Sequence, residues 1–523
     1  MERKWWTLIA VSVAIFMLLL DITVVNVALP DIQRSLHSSF ADLQWVVNAY
    51  SLTLAAFLLT CGALADRFGR RLVFTTGLIV FTLSSAACGL ANTPLALNLA
   101  RAVQGTGGAM MFATSLALIA GAFHGKERGL AFGVFGGVIG GAVAVGPIVG
   151  GLITSGIGWE WIFFVNVPIG IGAVILTLTQ VAESRDPNAR GVDWLGLLTF
   201  SGSLFLLVFA LIQGNEKGWG STQIVSFLIA SAVLIVLFVI VELRQERPML
   251  DLTLFRKPAF AGASIVAFAI SSSMFSMFLY LTLYIQDVLG YGPLQAGLRF
   301  LPITLLSFFV APLSGRLSVR VPVRLLLGSG LLLVSGGLLA MSAVSASSSW
   351  TVLVPGFILA GAGIGLINPP LASTAVGVVH HSRSGMASGI NNTFRQVGIA
   401  TGIAGLGAIF QHDITRNTMS QLNATAPGRE VISAAHGKLT TALVSGEVRE
   451  LTHSLPHAAS SALKHAYPIG FTDAFTSILL IAAAIALVGS LLAFALVRSS
   501  DFVAAHVPGE GQGGEQPAPA AAA

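Results

Sequence analysis

Long hydrophobic runs separated by short polar segments make up most of the chain. Each run is close to the roughly 20 apolar residues that an α-helix needs to cross a membrane. We therefore predict fourteen membrane-spanning helices, numbered as spans 1 to 14 in chain order. The spans are Leu8–Leu29, Gln44–Leu64, Leu72–Ala91, Leu95–Ala120, Leu130–Ile153, Ile162–Val181, Val192–Ile212, Ile224–Val241, Phe260–Ile285, Leu294–Leu313, Leu325–Ala343, Val352–Val376, Met386–Phe410 and Ile469–Val497.

The composition supports this pattern. Hydrophobic residues make up 54% of the chain and charged residues 10%, and the mean hydropathy is +0.83. A soluble protein of this length would carry about a quarter charged residues. The sequence shows no basic surface interleaved with aromatic residues that would indicate nucleic acid binding. The sequence therefore predicts an all-α polytopic membrane protein.

Two features that are typical of other protein classes have simpler interpretations here. Cys61 and Cys88 both lie inside hydrophobic runs, so we interpret them as small apolar side chains rather than as a disulfide or a metal site. The N-terminal segment resembles a secretory signal peptide, but it lacks a small-residue cleavage site and more spans follow. We interpret it as a retained first helix.

The basic residues predict the orientation of the spans. Eighteen of the 28 Lys and Arg residues lie in the loops of one side, whereas the short loops of the other side hold only Arg34 and Lys217. Because basic loops stay on the cytoplasmic side, we expect both termini in the cytoplasm. All eight tryptophans lie at span ends, as expected for residues of the membrane interface.

Repeated motifs indicate two related halves. The segment "GALADRFGRRL" after span 2 resembles "APLSGRLSVRVPVRLL" after span 10, and "ERGLAFG" before span 5 resembles "RSGMASG" before span 13. We therefore predict two pseudo-symmetric bundles of six helices with spans 7 and 8 inserted, arranged around a central site. The predicted regions are the first bundle (1–181), the inserted helices with a cytoplasmic linker (182–258), the second bundle (259–497) with an extracytoplasmic loop (411–468), and a disordered low-complexity tail (498–523).

Asp21 is an acid inside the otherwise apolar span 1, with no basic residue near it in the sequence. A charged carboxylate at the centre of a membrane helix costs a few kcal/mol, so we expect it to face a cavity or to carry a proton. Burial favours the protonated form of a carboxyl group, which suits reversible proton binding. The alternative is a packing role, in which Asp21 bonds to Thr23 or Asn26.

Two arginines also lie at membrane depth. Arg101 in span 4 needs acceptors from neighbouring helices because its guanidinium stays charged. It either supports a polar network that communicates with Asp21 from a distance or serves as a structural tether. Gln104 lies one turn later and faces the same direction, and span 13 contains Arg395. The predicted cavity residues are Asn26, Gln104, Asn391, Asn392, Arg395 and Gln396.

Glycine dominates span 5, which reads "GVFGGVIGGAVAVGPIVGG". Three pairs of glycines at four-residue spacing, Gly136/Gly140, Gly137/Gly141 and Gly146/Gly150, allow close approach of another helix. Pro147 removes a backbone hydrogen bond and so bends or loosens the helix. One interpretation is a tight packing face, and the other is a gate between the two halves.

The turn after span 2 concentrates charge in "DRFGRR". The carboxylate of Asp66 can accept from an arginine or a helix N-terminus, and Gly69 lets the chain reverse. Charged loops often serve only to anchor a membrane protein, but the related segment after span 10 favours a latch. The predicted latch consists of Asp66, Arg67, Gly69, Arg70 and Arg71.

The motifs resemble a known family. "LDITVVNVALP", "GALADRFGRR", "RAVQGTGGA" and "GPIVGG" followed by "WEWIFFVNVPIG" are similar to the signature blocks of the major facilitator superfamily. With fourteen spans, the chain resembles the drug:proton antiporter branch that contains the QacA- and EmrB-like multidrug exporters. The resemblance implies a cytoplasmic latch at the residues named above, an antiporter-motif gate at Gly146, Pro147, Gly150 and Gly151, the motif arginine at Arg101 and the acid of span 1 at Asp21.

The resemblance also implies a function. We expect a proton-coupled antiporter that exports amphipathic drugs or toxic metabolites across the plasma membrane by alternating access, with Asp21 and Arg101 at the coupling site. Cationic compounds are among the expected substrates. Some members that export dications carry further acids in spans 10 and 13, whereas neither core contains one here and span 13 has Arg395, which argues against divalent cations. The alternative is an exporter dedicated to one natural product that confers self-resistance.

Other classes are less favoured. The block in span 5 has the antiporter form, which argues against an uptake symporter, and a scaffold or receptor would have no reason to keep charges at membrane depth. The sequence contains no nucleophile–base pair, metal-ligand set or nucleotide-binding loop, so we expect neither an enzyme nor a cofactor. We expect a monomer whose partners are its substrate, protons and the lipid bilayer.

Overall fold

The structure is a computed structural model that describes residues 2–123, 126–185, 192–245, 248, 250–318, 320–379, 384–434, 439, 442–443, 448, 451–452, 455–498 and 501. Within these ranges the chain is almost entirely helical and contains no β-strand. The predicted all-α fold class is therefore confirmed. Most of the predicted tail, 498–523, lies outside the described residues.

The helices follow the order of the predicted spans, and we label them with the span numbers. They are α1 (Arg3–Leu36), α2 (Phe40–Phe68), α3 (Arg70–Gly89), α4 (Pro94–Ala122), α5 (Lys126–Gly156), α6 (Trp161–Gln180), α7 (Trp194–Lys217), α8 (Thr222–Arg244), α9 (Pro258–Val288), α10 (Pro293–Arg299 with Leu301–Leu317), α11 (Val323–Met341), α12 (Val354–Gly377), α13 (Ser384–Asn423) and α14 (His457–Leu496).

In the described part of the chain, 13 helices are each long and apolar enough to cross a membrane. The two parts of α10 are bent by 41° to each other and raise the number to 14 if they form one span. The predicted total of fourteen spans therefore stays a prediction.

Capping side chains and a glycine turn define the first helix ends. Ser39 and Asp42 form a reciprocal capping box at the start of α2, with distances of 2.9 Å and 3.1 Å between backbone nitrogen and side-chain oxygen. Thr93 caps α4, and Pro94 occupies the first turn, where its missing N–H is harmless. Between α2 and α3, Gly69 has a φ of 126°, which residues with a side chain rarely adopt.

Helices α13 and α14 continue beyond their predicted spans. The first ends at Asn423 rather than Phe410, and the second begins at His457 rather than Ile469. Both ends of the predicted loop 411–468 are therefore helical. Hydropathy marks the point where a helix leaves the membrane, whereas the helix itself continues until its backbone hydrogen bonds are capped.

The helices pack in two groups of six. In the N-terminal half, α4 lies against α2 and α3, and α5 lies against α1; in the C-terminal half, α12 lies against α10 and α11, and α14 against α11. Helices α7 and α8 pair with each other, and Ser203 and Ser231 exchange two hydrogen bonds of 2.8 Å between them. The predicted domain boundaries stay predictions.

The two halves meet most extensively along two pairs of helices. Helix α2 packs against α13, and α5 packs against α10. We call the end of the bundle at which α1 begins the basic end, because the sequence analysis assigns the basic loops to it. The other end is called the opposite end.

Candidate functional site

The carboxylate of Asp21 lies in the core of the N-terminal half, where three side chains donate hydrogen bonds to it. Nη1 of Arg101 is 2.5 Å from Oδ2, and Nε2 of Gln104 is 3.0 Å from Oδ1. Asn166 on α6 donates through Nδ2 to Oδ1 at 3.2 Å. Asp21 is only 2% exposed to solvent. Helices α1, α4 and α6 therefore meet at one buried carboxylate.

The guanidinium of Arg101 is satisfied in the same way. Its Nε donates to the backbone oxygen of Val46 at 3.1 Å, and Nη1 also donates to Oε1 of Gln104 at 2.7 Å. Its plane lies near the rings of Tyr50 and Phe163, with centroids 4.4 Å and 5.7 Å from Cζ. Removal of a guanidinium from water is tolerated when its donors find acceptors, and this site supplies them.

The structure changes the interpretation of Asp21. From the sequence, in which no basic residue lies near Asp21, we expect Arg101 to act on it from a distance, whereas the two form a direct ion pair. Asp21 is also absent from the lining of the central cavity described below. The alternative partners are wrong as well, because Thr23 and Asn26 donate to backbone oxygens of their own helix. Pairing across 80 residues leaves no trace in one sequence.

Asn166 is a member of this network that the sequence analysis misses. Its amide nitrogen donates to Asp21 and also to Oγ of Ser85, at 3.1 Å. Ser85 in turn donates to the backbone oxygen of Phe163 at 2.9 Å. Asn166 is 1% exposed in an apolar helix, so the argument that selects Asp21 from a hydrophobic run applies to it too.

A cavity of about 2260 Å³ separates the two halves and opens at the basic end. Its mouth includes Asp66 and Arg70 near the end of α2 and Gly315 near the end of α10. Its walls are mainly apolar, with several phenylalanines of the C-terminal half. A large apolar cavity with few polar groups is typical of a small-molecule binding site.

Four of the six predicted cavity residues line this space, namely Asn26, Asn392, Arg395 and Gln396. The other two do not. Gln104 belongs to the Asp21 network, and Asn391 is buried, with its amide nitrogen donating to the backbone oxygen of Ala263 at 3.3 Å. The cavity also contains polar side chains that the sequence analysis does not select, among them Thr23, Thr304 and Asn368.

At the opposite end the two halves are in contact. Gln286 of α9 donates to the backbone oxygen of Val27 at 2.7 Å, and Gln44 of α2 donates to the backbone oxygen of Ile403 at 2.8 Å. The hydroxyl of Tyr280 donates to the same oxygen at 2.6 Å. The two glutamine bonds join α1 and α2 to the C-terminal half. The cavity therefore has access from one end of the bundle.

The glycine-proline block of α5 has two packing faces. A Cβ added at Gly146 or Gly150 would meet Thr23 or Val24 of α1, within the same half. A Cβ added at Gly151 would lie 2.7 Å from Cα of Leu294 on α10, across the two halves. The motif thus holds α5 between α1 and α10.

The earlier glycines of α5 behave differently. A Cβ added at Gly136, Gly137 or Gly141 would meet no atom within 4 Å, and Gly140 would approach only a ring of Phe308, at 3.7 Å. The close helix packing predicted for the pairs Gly136/Gly140 and Gly137/Gly141 is therefore wrong in this conformation. Gly136, Gly137 and Gly140 line the cavity between the two halves. Spacing alone therefore cannot distinguish a packed glycine from an open one.

The contacts found for the predicted latch lie within the N-terminal half. Asp66 and Arg70 form an ion pair at 2.8 Å, four residues apart. Backbone nitrogens of Arg71 and Leu72 donate to the two carboxylate oxygens of Glu183, at 2.9 Å and 3.2 Å. Glu183, which follows α6, therefore caps the N-terminus of α3 and is a residue that the sequence analysis misses.

The remaining two latch residues have distinct environments. The guanidinium of Arg67 lies 5.3 Å from the ring centroid of its neighbour Phe68. Gly69 forms the turn, and a Cβ there would lie 2.7 Å from Cδ of Glu183. Whether these residues act as a latch between conformations stays a prediction.

Comparison with known proteins identifies the family. The family model described as Major Facilitator Superfamily matches residues 11–403. The chain belongs to the major facilitator superfamily. It is 40% identical over 422 residues to the multidrug resistance protein Stp of Mycobacterium tuberculosis, covering 80% of this chain and 78% of that protein. It is 34% identical over 408 residues to the tetracenomycin C resistance and export protein of Streptomyces glaucescens, covering 78% of this chain and 76% of that protein.

Solved structures of major facilitator proteins share the fold. A bacterial homologue of the human lysosomal transporter Spinster, in an inward-facing and unoccupied conformation, aligns with a TM-score of 0.61 and 19% identity over 96% of this chain and 99% of that chain. Membership of this superfamily makes the protein a multi-pass membrane transporter and not an enzyme. The expected family is confirmed, whereas its fourteen-span branch rests on the unconfirmed span count.

Proposed function

We propose that this major facilitator protein exports amphipathic drugs or toxic metabolites across the plasma membrane in exchange for protons. The observation that carries the proposal is the buried Asp21, which is bonded to Arg101, Gln104 and Asn166 at the centre of the N-terminal half. Relatives named for multidrug resistance and for antibiotic resistance and export support the direction of transport. The cavity between the halves supplies the space for a substrate.

The protonation of Asp21 is the proposed coupling step. A proton on the carboxylate removes its charge and leaves Arg101 without its counter-ion, so the contact between α1 and α4 weakens. Loss of the proton restores the ion pair, which is the state described above together with a cavity open at the basic end. We therefore assign the deprotonated transporter to the conformation that accepts substrate from the cytoplasm. The substrate does not need to touch Asp21 in this scheme.

A continuous set of contacts links Asp21 to the second half. Thr23, two residues further along α1, packs against Gly146 of α5, and Gly151 of the same helix packs against Leu294 of α10. A small shift of α1 on protonation thus reaches the contact that closes the opposite end. Replacement of Gly297, which packs against Pro147 of α5, by alanine tests this step.

The orientation belongs to the same proposal. We place the basic end and both termini in the cytoplasm, because basic residues accumulate in the loops of that side. Membrane-impermeant thiol reagents applied to whole cells should label a cysteine placed at exposed Arg416, near the opposite end of α13, and not one placed at exposed Glu127 near the start of α5. The reverse labelling pattern would invert the assignment. We propose that the monomer is the functional unit.

Reconstituted protein tests the exchange directly. Proteoliposomes loaded with a fluorescent amphipathic dye should move the dye against its concentration gradient when a pH gradient is imposed across the membrane. Protons should move in the direction opposite to the dye. Asp21→Asn protein, compared at equal amounts of folded transporter, should retain no pH-driven movement. Undiminished uphill transport by Asp21→Asn would refute the assignment of Asp21.

A second candidate is an exporter dedicated to one natural product. It is favoured by relatives whose names mention a single compound, such as the puromycin resistance protein pur8 of Streptomyces alboniger, which is 35% identical over 442 residues. A panel of chemically unrelated dyes and antibiotics tested in a host lacking its own pumps separates the two functions. Resistance to one compound supports the dedicated exporter, and resistance to several classes supports the multidrug exporter.

A further inference from the structure

Arg395 has an unusual environment for an arginine at membrane depth. Its side chain lines the cavity, and the ring of Phe275 lies 5.7 Å from its Cζ. In the part of the chain that the structure describes, no carboxylate or carbonyl accepts a hydrogen bond from its guanidinium. Arg101, by contrast, has a carboxylate, a backbone oxygen and an amide oxygen as acceptors. A guanidinium away from bulk water needs such partners, so Arg395 has donors to offer to a molecule in the cavity.

The carboxylates that line the cavity already have hydrogen-bond or ion-pair partners within the protein. The carboxylate of Asp66 pairs with Arg70 at 2.8 Å. Asp193 accepts from the backbone nitrogen of Gly196 at 2.7 Å and caps α7, and Glu242 accepts from the backbone nitrogen of Leu250 at 3.2 Å. Asp251 accepts from the backbone nitrogen of Thr253 at 2.9 Å. These acids lie at the ends of helices, at the basic end. Among the described residues that line the deeper part of the cavity, Arg395 is the one with a formal charge, and this charge is positive.

Close packing of α9 on α13 fixes the aromatic wall beside this charge. A Cβ added at Gly398 would lie 2.7 Å from the backbone oxygen of Phe268, so these helices approach closely. A π-helical turn, Ser271–Phe275, follows in α9 and places Phe275 next to Arg395. The other phenylalanines of the C-terminal half that line the cavity are Phe278, Phe300 and Phe308.

Two amides complete this part of the cavity. Oε1 of Gln396 and Oδ1 of Asn368 are buried, and neither has a hydrogen-bond partner in the described residues. Both side chains line the cavity. An amide can present either its oxygen or its nitrogen to a bound molecule, so these groups suit a ligand that carries hydroxyl and carbonyl groups around a ring.

We propose that Arg395 is the anchor of a binding site for amphipathic aromatic anions, in which a carboxylate or phenolate of the transported molecule pairs with the guanidinium and its rings pack against Phe275. The inference rests on the proposed export function and names its substrate class. It replaces the cationic substrates expected from the sequence, because Asp21 is paired outside the cavity and Arg395 repels a cation. A bidentate contact between a guanidinium and a carboxylate is strong and directional.

Two dyes with the same xanthene core and opposite charge provide the test. Fluorescein is an anion at mildly alkaline pH, and tetramethylrhodamine methyl ester is a cation. Fluorescence polarisation measures the binding of each dye to purified full-length protein in detergent. The wild-type protein should bind fluorescein more tightly than the cationic dye. Arg395→Gln should weaken fluorescein binding by about tenfold or more, as expected for loss of a charged hydrogen-bond donor, and should not weaken binding of the cation.

Two further variants control the result. Arg416→Gln removes an exposed arginine from the same helix, outside the cavity, and should bind both dyes like the wild-type protein. Arg395→Lys keeps the charge and should retain part of the preference for fluorescein. Tighter binding of the cationic dye by the wild-type protein, or equal fluorescein affinity of Arg395→Gln and wild type, would overturn the inference. The first comparison needs no variant, so it holds even if Arg395→Gln does not fold.

The binding test is independent of proton coupling. Preferential binding of fluorescein without pH-driven transport in proteoliposomes would leave the anion site standing and refute the exchange mechanism. Proton-driven transport of the cationic dye without binding of fluorescein would do the reverse. The substrate class and the transport mechanism can therefore fail separately.

Discussion

Asp21 and Arg101 form an ion pair with 2.5 Å between Oδ2 and Nη1, although 80 residues separate them in the chain. Their side chains are 0% and 1% exposed. The energetic consequence of such a pair is asymmetric. Loss of one partner leaves an uncompensated charge in the core, whereas joint replacement of both by apolar residues of similar volume is often nearly neutral. This asymmetry allows a structural role to be separated from a role in coupling.

Asp21→Asn should destabilise the protein by up to about 3–5 kcal/mol, because Arg101 would lose its counter-ion in a buried site. The double variant Asp21→Leu with Arg101→Met should recover much of this loss. Neither variant should exchange protons for substrate. Melting temperatures in detergent micelles and proton uptake in proteoliposomes measure the two effects. Recovery of proton-driven transport along with stability would show that the pair is structural only.

Asn166→Leu should reduce both stability and transport, because Leu has a similar volume but cannot donate to Asp21 or to Ser85. We expect a cost of about 1–3 kcal/mol, since buried acceptors lose a donor. Ser85→Ala is the matched control: it removes a partner of Asn166 that does not touch Asp21, and it should cost about 1 kcal/mol with transport retained. Equal transport by Asn166→Leu and the wild-type protein would exclude Asn166 from the coupling network.

The fold is predictable from the sequence because a membrane helix requires a continuous apolar run. The order of helices follows directly from these runs. The ends of α13 and α14 are not predictable in the same way, since their last turns lie beyond the apolar runs. The same rule singles out Asp21 and Arg101 as charges at membrane depth, but only the packing of α1 on α4 shows that they bond to each other.

The polar residues show where sequence reasoning stops. Gln104 and Asn392 look alike in the sequence, as amides within apolar spans, yet one donates to Asp21 and the other lines the cavity. The face of a helix that lines a cavity is set by the rotation of that helix about its own axis within the bundle. Gly136 and Gly146 differ for the same reason, since only the second meets a neighbouring helix.

Gly297→Ala should weaken the contact between α5 and α10 at the opposite end. The added methyl group would meet the backbone oxygen of Pro147, which cannot rotate away as a side chain can. Such overpacking costs about 1–3 kcal/mol and favours conformations in which this end is open. Spin labels at the exposed positions Leu152 and Leu298 report the separation of the two helices by pulsed electron paramagnetic resonance.

Gly141→Ala is the control for this experiment, because a Cβ there meets no atom within 4 Å. The distance between the labels should lengthen or broaden in Gly297→Ala and stay unchanged in Gly141→Ala. An unchanged distance in both variants would mean that the glycine contact does not hold the opposite end closed. The proposed path from Asp21 through α5 to α10 would then lose its last step.

Gly69→Ala should destabilise the turn between α2 and α3 for two reasons. The φ of 126° strains any residue with a side chain, at about 1–3 kcal/mol, and the new Cβ would press on Glu183. Gly62→Ala in α2 has open space and should be neutral or stabilise the helix by up to about 1 kcal/mol. Melting temperatures should fall for the first variant only. In a Glu183→Ala background the steric part of the cost disappears, whereas the backbone strain remains. Gly69→Ala should therefore still lower the melting temperature in that background. Complete loss of the Gly69→Ala penalty there would show that the turn tolerates a side chain.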